Sequence, residues 1–152
     1  MLAVAKKPQG TIILVDARGF KATRGQPPPA RHRIGTCYEN LHDLVRHRDF
    51  AKVWPRLMWR LSDALHNTDH AHPVAVAFYC KSGKHRSVGL AWALTKILRE
   101  RYWDVGLRHT MREYWHLGSC RERGACARDT NDKPALLESF RPQIGLPVAA
   151  GS

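Results

Sequence analysis

The chain has 152 residues, 43% of them apolar, which suffices for one domain with a buried core and makes a folded chain, not a disordered one, the default reading. Its 25 lysines and arginines outnumber 13 acidic residues, for a formal net charge of +12, so it favours an anionic partner: nucleic acid, a phosphorylated metabolite or an acidic surface. No apolar run approaches the ~20 residues of a membrane span, and Met1–Gly10 holds too short an apolar stretch for a secretory signal. The cysteines, Cys37, Cys80, Cys120 and Cys126, show no C-x-x-C pair and no dense framework. A cytoplasmic protein with free thiols is the expectation.

Taken in chain order, residues 1–9 read as an N-terminal extension. "TIILVDARG", Thr11–Gly19, reads as a buried strand, with consecutive β-branched residues closing at Asp16 and Gly19. "GQPPPARHRIG" is a loop, because consecutive prolines join neither helix nor sheet ladders. Glu39–His47 reads as a short helix. Phe50–His66 is a stronger one: Phe50, Val53, Trp54, Leu57, Met58, Leu61, Ala64 and Leu65 recur at helical spacing and define a core face. Pro55 implies that the regular helix begins near Trp54 or kinks there. "HNTDHAH", His66–His72, is a polar connection rather than a metal site.

"HPVAVAFYC", His72–Cys80, reads as a second buried strand, followed by the basic loop Cys80–Arg86 and a helix over Ser87–Arg101. "WDVGLRHT", Trp103–Thr110, reads as a third strand and Met111–Leu117 as helical. Beyond Gly118 the chain reads as a polar, partly disordered tail, residues 119–152, in which "KPALLESF" could add a short helix. Strand, helix, strand at these lengths is a βαβ unit. The expected fold is α/β, a small mostly parallel sheet flanked by helices over residues 10–118.

In such sheets ligands bind at the carboxyl ends of the strands, and a helix N-terminus there suits phosphate. Cys80–Ser87 occupies that place. Gly83 lets the backbone approach a ligand, Ser82 and Ser87 add hydroxyls, Lys81 and Lys84 add charge, and Arg86 can grip two phosphate oxygens. A Walker-type loop, G-x-x-x-x-G-K-S/T, is rejected: His85 follows Gly83-Lys84, and Phe78 stands at the first glycine. Cys80, five residues, Arg86 and Ser87 match the C-x5-R-S/T loop of protein tyrosine phosphatases, with Asp16 as the acid. Tyr79 replaces the histidine that usually precedes that cysteine, and three cations crowd the loop. Catalysis is therefore the secondary reading. His116, Cys120 and Cys126 fit no standard zinc spacing, and no metal or cofactor is expected.

"CKSGKHRSV" resembles the C-T-G-G-x-H-R-S-V loop of the RapZ C-terminal domain family, the C-terminal part of the bacterial RNase adapter protein. "VDARGF" is similar to that domain's D-V-R-F segment and "VGLRHTMRE" to its V-x-x-R-H-R-D-L segment, in the same order, over about residues 10–115. The resemblance implies an α/β sandwich similar to the sugar-phosphate part of phosphofructokinase. It implies a non-catalytic domain that binds glucosamine 6-phosphate, contacts a small regulatory RNA and assembles as a homo-oligomer. Carried over residue by residue, the ligand loop is Cys80, Gly83, His85, Arg86 and Ser87, joined by Asp16, Arg18, Arg108 and His109. The chain shows no Walker-type nucleotide domain, so no nucleotide is carried over. Lys81-Ser82 replaces Thr-Gly, Gly19 separates Arg18 from Phe20, and the usual Asn-Pro is missing. These departures bear on the sugar more than on the phosphate.

RNA contact is expected from Arg99, Arg101, Arg112, Arg121 and Arg123, interleaved with Tyr102, Trp103, Tyr114 and Trp115, since cations grip phosphates and exposed rings stack on bases. A plain RNA-binding module with an unused pocket is the third reading.

Overall fold

A computed structural model describes residues 10–20, 35–68, 72–81, 85–110, 132–141 and 145–149. In chain order these form β1 (Thr11–Asp16), α1 (Tyr38–Arg46), α2 (Phe50–His66), β2 (Val74–Tyr79), α3 (Arg86–Arg99) and α4 (Lys133–Glu138). The expected extension 1–9, the proline loop up to Ile34 and the helix over 111–117 lie outside the described residues.

β1 and β2 pair in parallel, from Thr11 opposite Val74 to Asp16 opposite Tyr79. Parallel neighbours need a long crossover, here α1 and α2. Ile13 and Val15 are buried, and Val74, Val76 and Phe78 pack on the same core. The opposite face is open, with Ile12 64% and Leu14 61% exposed and Ala75 and Ala77 also exposed. The apolar runs of both strands predict full burial. A continuous apolar run implies two covered faces, but among the described residues the helices cover only one.

α2 buries Phe50, Trp54, Leu57, Met58 and Leu61, the stripe expected from spacing, each contributing about 1.5–3 kcal/mol. It begins at Phe50 rather than near Trp54. Pro55 sits within it on the solvent side, where water can hydrate the carbonyl that loses its N–H partner. α3 lies between α1 and β2 and is buried around most of its circumference, including Ser87, Gly89, Leu90, Ala93, Leu94 and Ile97. Beyond its last residue, Arg99, the chain turns at Tyr102, whose φ of 63° is left-handed, with the Trp103 N–H donating to the Leu98 carbonyl at 3.1 Å. That is the helix-ending geometry in which glycine is usual.

Two corrections concern the later part of the chain. Trp103–Thr110 is not a strand. Helices on one face and right-handed crossovers would place it beyond the outer edge of β2. The segment and β2 instead line one groove, and no ladder forms between them. Its polar groups bond elsewhere: the Trp103 indole N–H donates to the Pro147 carbonyl at 2.8 Å, and the Val105 carbonyl accepts from Arg99 at 2.8 Å. Second, residues 132–141 and 145–149, read as part of a polar tail, complete the core through Leu136, Leu137, Phe140 and Leu146. Phe140 packs edge-on against Phe50 and Trp54 at 5.3 and 5.4 Å between centroids, and its carbonyl accepts the buried Trp54 indole N–H at 2.7 Å.

The expectation of free thiols is corrected at Cys37, which is 1% exposed and disulfide-bonded, its partner lying outside the described residues. Pairing depends on how closely two cysteines approach in the fold, which spacing along the chain does not reveal. Cys80 is in no disulfide. Among the described residues no helix is long and apolar enough to cross a membrane.

Phe140 is fully buried. Phe140→Ala should therefore cost about 3–5 kcal/mol in urea denaturation. An unchanged midpoint would show that the C-terminal segment is not part of the cooperative core.

Candidate functional site

The carboxyl ends of β1 and β2 lie side by side because the register pairs Asp16 with Tyr79, and the Ala17 N–H donates to the Tyr79 carbonyl at 2.8 Å. Cys80 and Lys81 follow β2 directly. His85 precedes α3, and the Gly89 N–H donates to its carbonyl at 2.9 Å, closing the first helical turn. The first N–H groups of α3 have no partner within the helix, so this terminus has the polarity that attracts an anion.

Cys80 Sγ lies 3.1 Å from Ser87 Oγ, linking the end of β2 to the first turn of α3. Ser87 is 6% exposed, Cys80 and Arg86 are half-buried and Lys81 is exposed. The groove beyond β2 has a volume of about 1370 Å³, and Cys80, Lys81, Ser87, Arg108 and His109 all line it. It exceeds the ~300–1,000 Å³ usual for a small-molecule pocket, so a compact anion would fill only the end near Lys81. Neither Lys81 nor Arg108 forms an ion pair with a described residue. Arg86 starts α3 but does not line the groove. Ser82, Gly83 and Lys84 lie outside the described residues.

Asp16 and Arg18 hold each other. The Arg18 backbone N–H and Nε donate to Asp16 Oδ1 at 2.9 and 3.0 Å, and Nη2 donates to Oδ2 at 2.8 Å. The guanidinium also lies 5.3 Å from the centre of the Tyr79 ring. These hydrogen bonds, the Arg18 side chain first and its backbone N–H second, lower the Asp16 pKa to about 2. The pair stands beside the strand ends but does not line the groove. Arg18 is therefore engaged by Asp16, whereas Lys81 and Arg108 have no ion-pair partner among the described residues.

Sequence reading missed the glycines that pack α1 against this end of the molecule. A Cβ on Gly35 would fall 1.9 Å from the His85 carbonyl oxygen and 2.6 Å from the Gly89 nitrogen. A Cβ on Gly89 would meet Leu44 Cδ1 at 2.7 Å and the Gly35 oxygen at 2.9 Å. Two backbones touch where only glycine fits. The signal lay in "RIGTC" and "SVGLA", but a single glycine in either does not say what it approaches.

Of the arginines expected to contact RNA, Arg99 donates to the Val105 carbonyl at 2.8 Å and Arg101 to the Leu146 carbonyl at 2.5 Å. Both hold the chain that follows α3. Arg112, Arg121 and Arg123 lie outside the described residues.

The fold and site define a small parallel α/β domain with a basic, strand-end groove at the start of a helix. The RapZ C-terminal domain family matches residues 31–113, more than half of the chain, and the chain belongs to that family of regulatory domains. The match takes in the Cys80–Ser87 loop and Arg108-His109, and begins after the Asp16–Arg18 segment. No curated protein and no solved structure matches the chain.

Two outcomes follow. The Asp16 carboxyl should titrate near pH 2 by NMR, below its unfolded value of about 3.9. Its contribution to stability is then complete above about pH 4 and is lost as pH falls toward 2. Titration near 4 would show that the Arg18 pairing does not persist in solution. Gly35→Ala should destabilise the protein by about 1–3 kcal/mol through overpacking, read as a lower Tm. An unchanged Tm would mean that the segment before α1 does not touch the start of α3 at this point.

Proposed function

We propose that this chain is a non-catalytic regulatory domain that binds a phosphorylated small molecule at the carboxyl end of β2 and RNA on a basic surface. One observation carries the ligand reading: Lys81 and Arg108, without an ion-pair partner among the described residues, share one groove with Cys80, Ser87 and His109, where α3 begins. Two cations, a hydroxyl, an imidazole and helical N–H groups form a donor set for phosphate. Family membership supports an amino-sugar phosphate, with glucosamine 6-phosphate as the ligand to test first. The high net charge of +12 supports a polyanionic partner as well.

The secondary reading, a cysteine-dependent phosphatase, draws on the 3.1 Å contact between Cys80 Sγ and Ser87 Oγ. It needs a carboxylic acid to protonate the leaving group. Asp16 is held by Arg18 through its backbone N–H and guanidinium and does not line the groove, so it is not placed to serve as that acid. Binding without turnover is the better account.

Thermal shift with glucosamine 6-phosphate, glucosamine and inorganic phosphate separates these readings. At ligand about 100-fold above Kd, stabilisation of about 2.7 kcal/mol is expected for the phosphorylated sugar, a rise of roughly 5–10 °C for a chain of this size. Arg108→Ala should remove most of it, and Arg86→Ala tests whether that side chain reaches the ligand. Vanadate-sensitive phosphatase activity lost in Cys80→Ser would establish the secondary reading. No shift with any anion would remove the groove as the centre of function.

A further inference from the structure

The inner side of α2 is used up by the core: Phe50, Trp54, Leu57, Met58 and Leu61 are all buried. Its other side carries Lys52, Arg56, Trp59 and Arg60, all exposed. Lys52, Arg56 and Arg60 recur every fourth residue, so they rise about 6 Å per step along the axis while drifting slowly around it. None of the three forms an ion pair with a described residue. The acid on this face, Asp63, sits at the far end of the helix beside the Asn67 side chain. At the other end Arg48, 86% exposed, is paired with Asp49 at 3.8 Å, so the uncommitted cations of this face are Lys52, Arg56 and Arg60.

Trp59 stands within this row and is 63% exposed. Tryptophan is among the residues most covered on average. This one presents its ring to solvent between cations.

We propose that the solvent face of α2, through Lys52, Arg56, Trp59 and Arg60, docks single-stranded RNA. This rests on the RNA half of the function proposed above and gives that half a location and a strand type. Charge complementarity selects a polyanion, and the regular spacing of the cations suits successive phosphates of an extended strand. The indole selects single strands, because an unpaired base offers a face for stacking and a base inside a duplex does not. A bilayer suits this face less: the apolar side of α2 is already committed to the core, leaving Trp59 alone to enter lipid. The face also lies apart from the groove, whose lining takes only Leu61, Leu65 and His66 from α2.

Fluorescence anisotropy of the full chain with a labelled 12-nucleotide oligouridylate, across salt concentrations, tests this. The triple variant Lys52→Ala, Arg56→Ala, Arg60→Ala should flatten the slope of log affinity against log salt by about 2, since each phosphate contact on a single strand contributes about 0.7. Trp59→Ala should weaken binding about ten- to hundred-fold, with Trp59→Tyr restoring most of it. Both sets change exposed side chains, so Tm should hold. Arg108→Ala should bind RNA as the wild type does. Tight binding unchanged in both sets would overturn the location while leaving RNA as a partner. Absence of binding by the wild type would overturn the location and the RNA half together, leaving the ligand reading to its own thermal-shift test. Preference for a duplex of the same sequence, or binding to phosphatidylserine vesicles without binding to RNA, would overturn the proposal equally.

Discussion

Everything at the candidate site follows from the parallel pairing of β1 with β2. The register sets Asp16 beside Tyr79, so both strands end at the same level and the loop after β2 begins next to the turn after β1. A slip of one residue would turn Ile13 and Val15 away from the core and expose them. Burial of that inner face therefore holds the strand ends in place, and the strand ends hold Cys80 and Lys81. The pairing is parallel because α1 and α2 return the chain to the same end, and the helices lie on one side of the sheet.

The second constraint is closeness between α3 and its surroundings. Gly35 and Gly89 let backbone touch backbone at the start of α3, which seats the helix N-terminus against α1 and behind the loop. The C-terminal segment acts from the other side. Phe140 closes the core against Phe50 and Trp54, while the Pro147 carbonyl and the Ala149 N–H bond to the chain just after α3. Those bonds engage Arg101 and Trp103, and the groove beside β2 stays open. The feature that departs most from the expected three-stranded sheet is thus the one that borders the groove.

Charge at this end of the molecule is divided between committed and uncommitted groups. Asp16 and Arg18 satisfy one another through several hydrogen bonds, and the carboxyl stays ionised far below neutral pH. Lys81 and Arg108 have no such partner among the described residues and border the same groove. The same division runs through the rest of the surface. Arg99, Arg101 and Arg141 hold carbonyls or carboxylates, whereas Lys52, Arg56 and Arg60 extend into water along α2. A net charge counts these groups alike; only their partners separate binding charge from structural charge.

Local pattern made much of this protein legible. The apolar spacing of Phe50–His66 specified α2 and its buried side, and the β-branched runs specified β1 and β2 within two or three residues. The polar loop between strand and helix marked Cys80–Ser87, and its motif pointed to the family that the match over residues 31–113 establishes. These are properties of neighbours along the chain, which sequence contains directly. What depended on distant residues did not show. The disulfide at Cys37, the Gly35–Gly89 contact, the place of Phe140 in the core and the missing third strand each join positions far apart in the chain. So does the question of which arginines remain available to an anion. The amino-acid sequence by itself determined β1, β2, α1, α2, α3 and the basic loop, because periodicity and turn chemistry act over a few residues. The tertiary structure alone decided which charges are already neutralised and where the groove lies, because hydrogen bonding and packing depend on groups that only folding brings together.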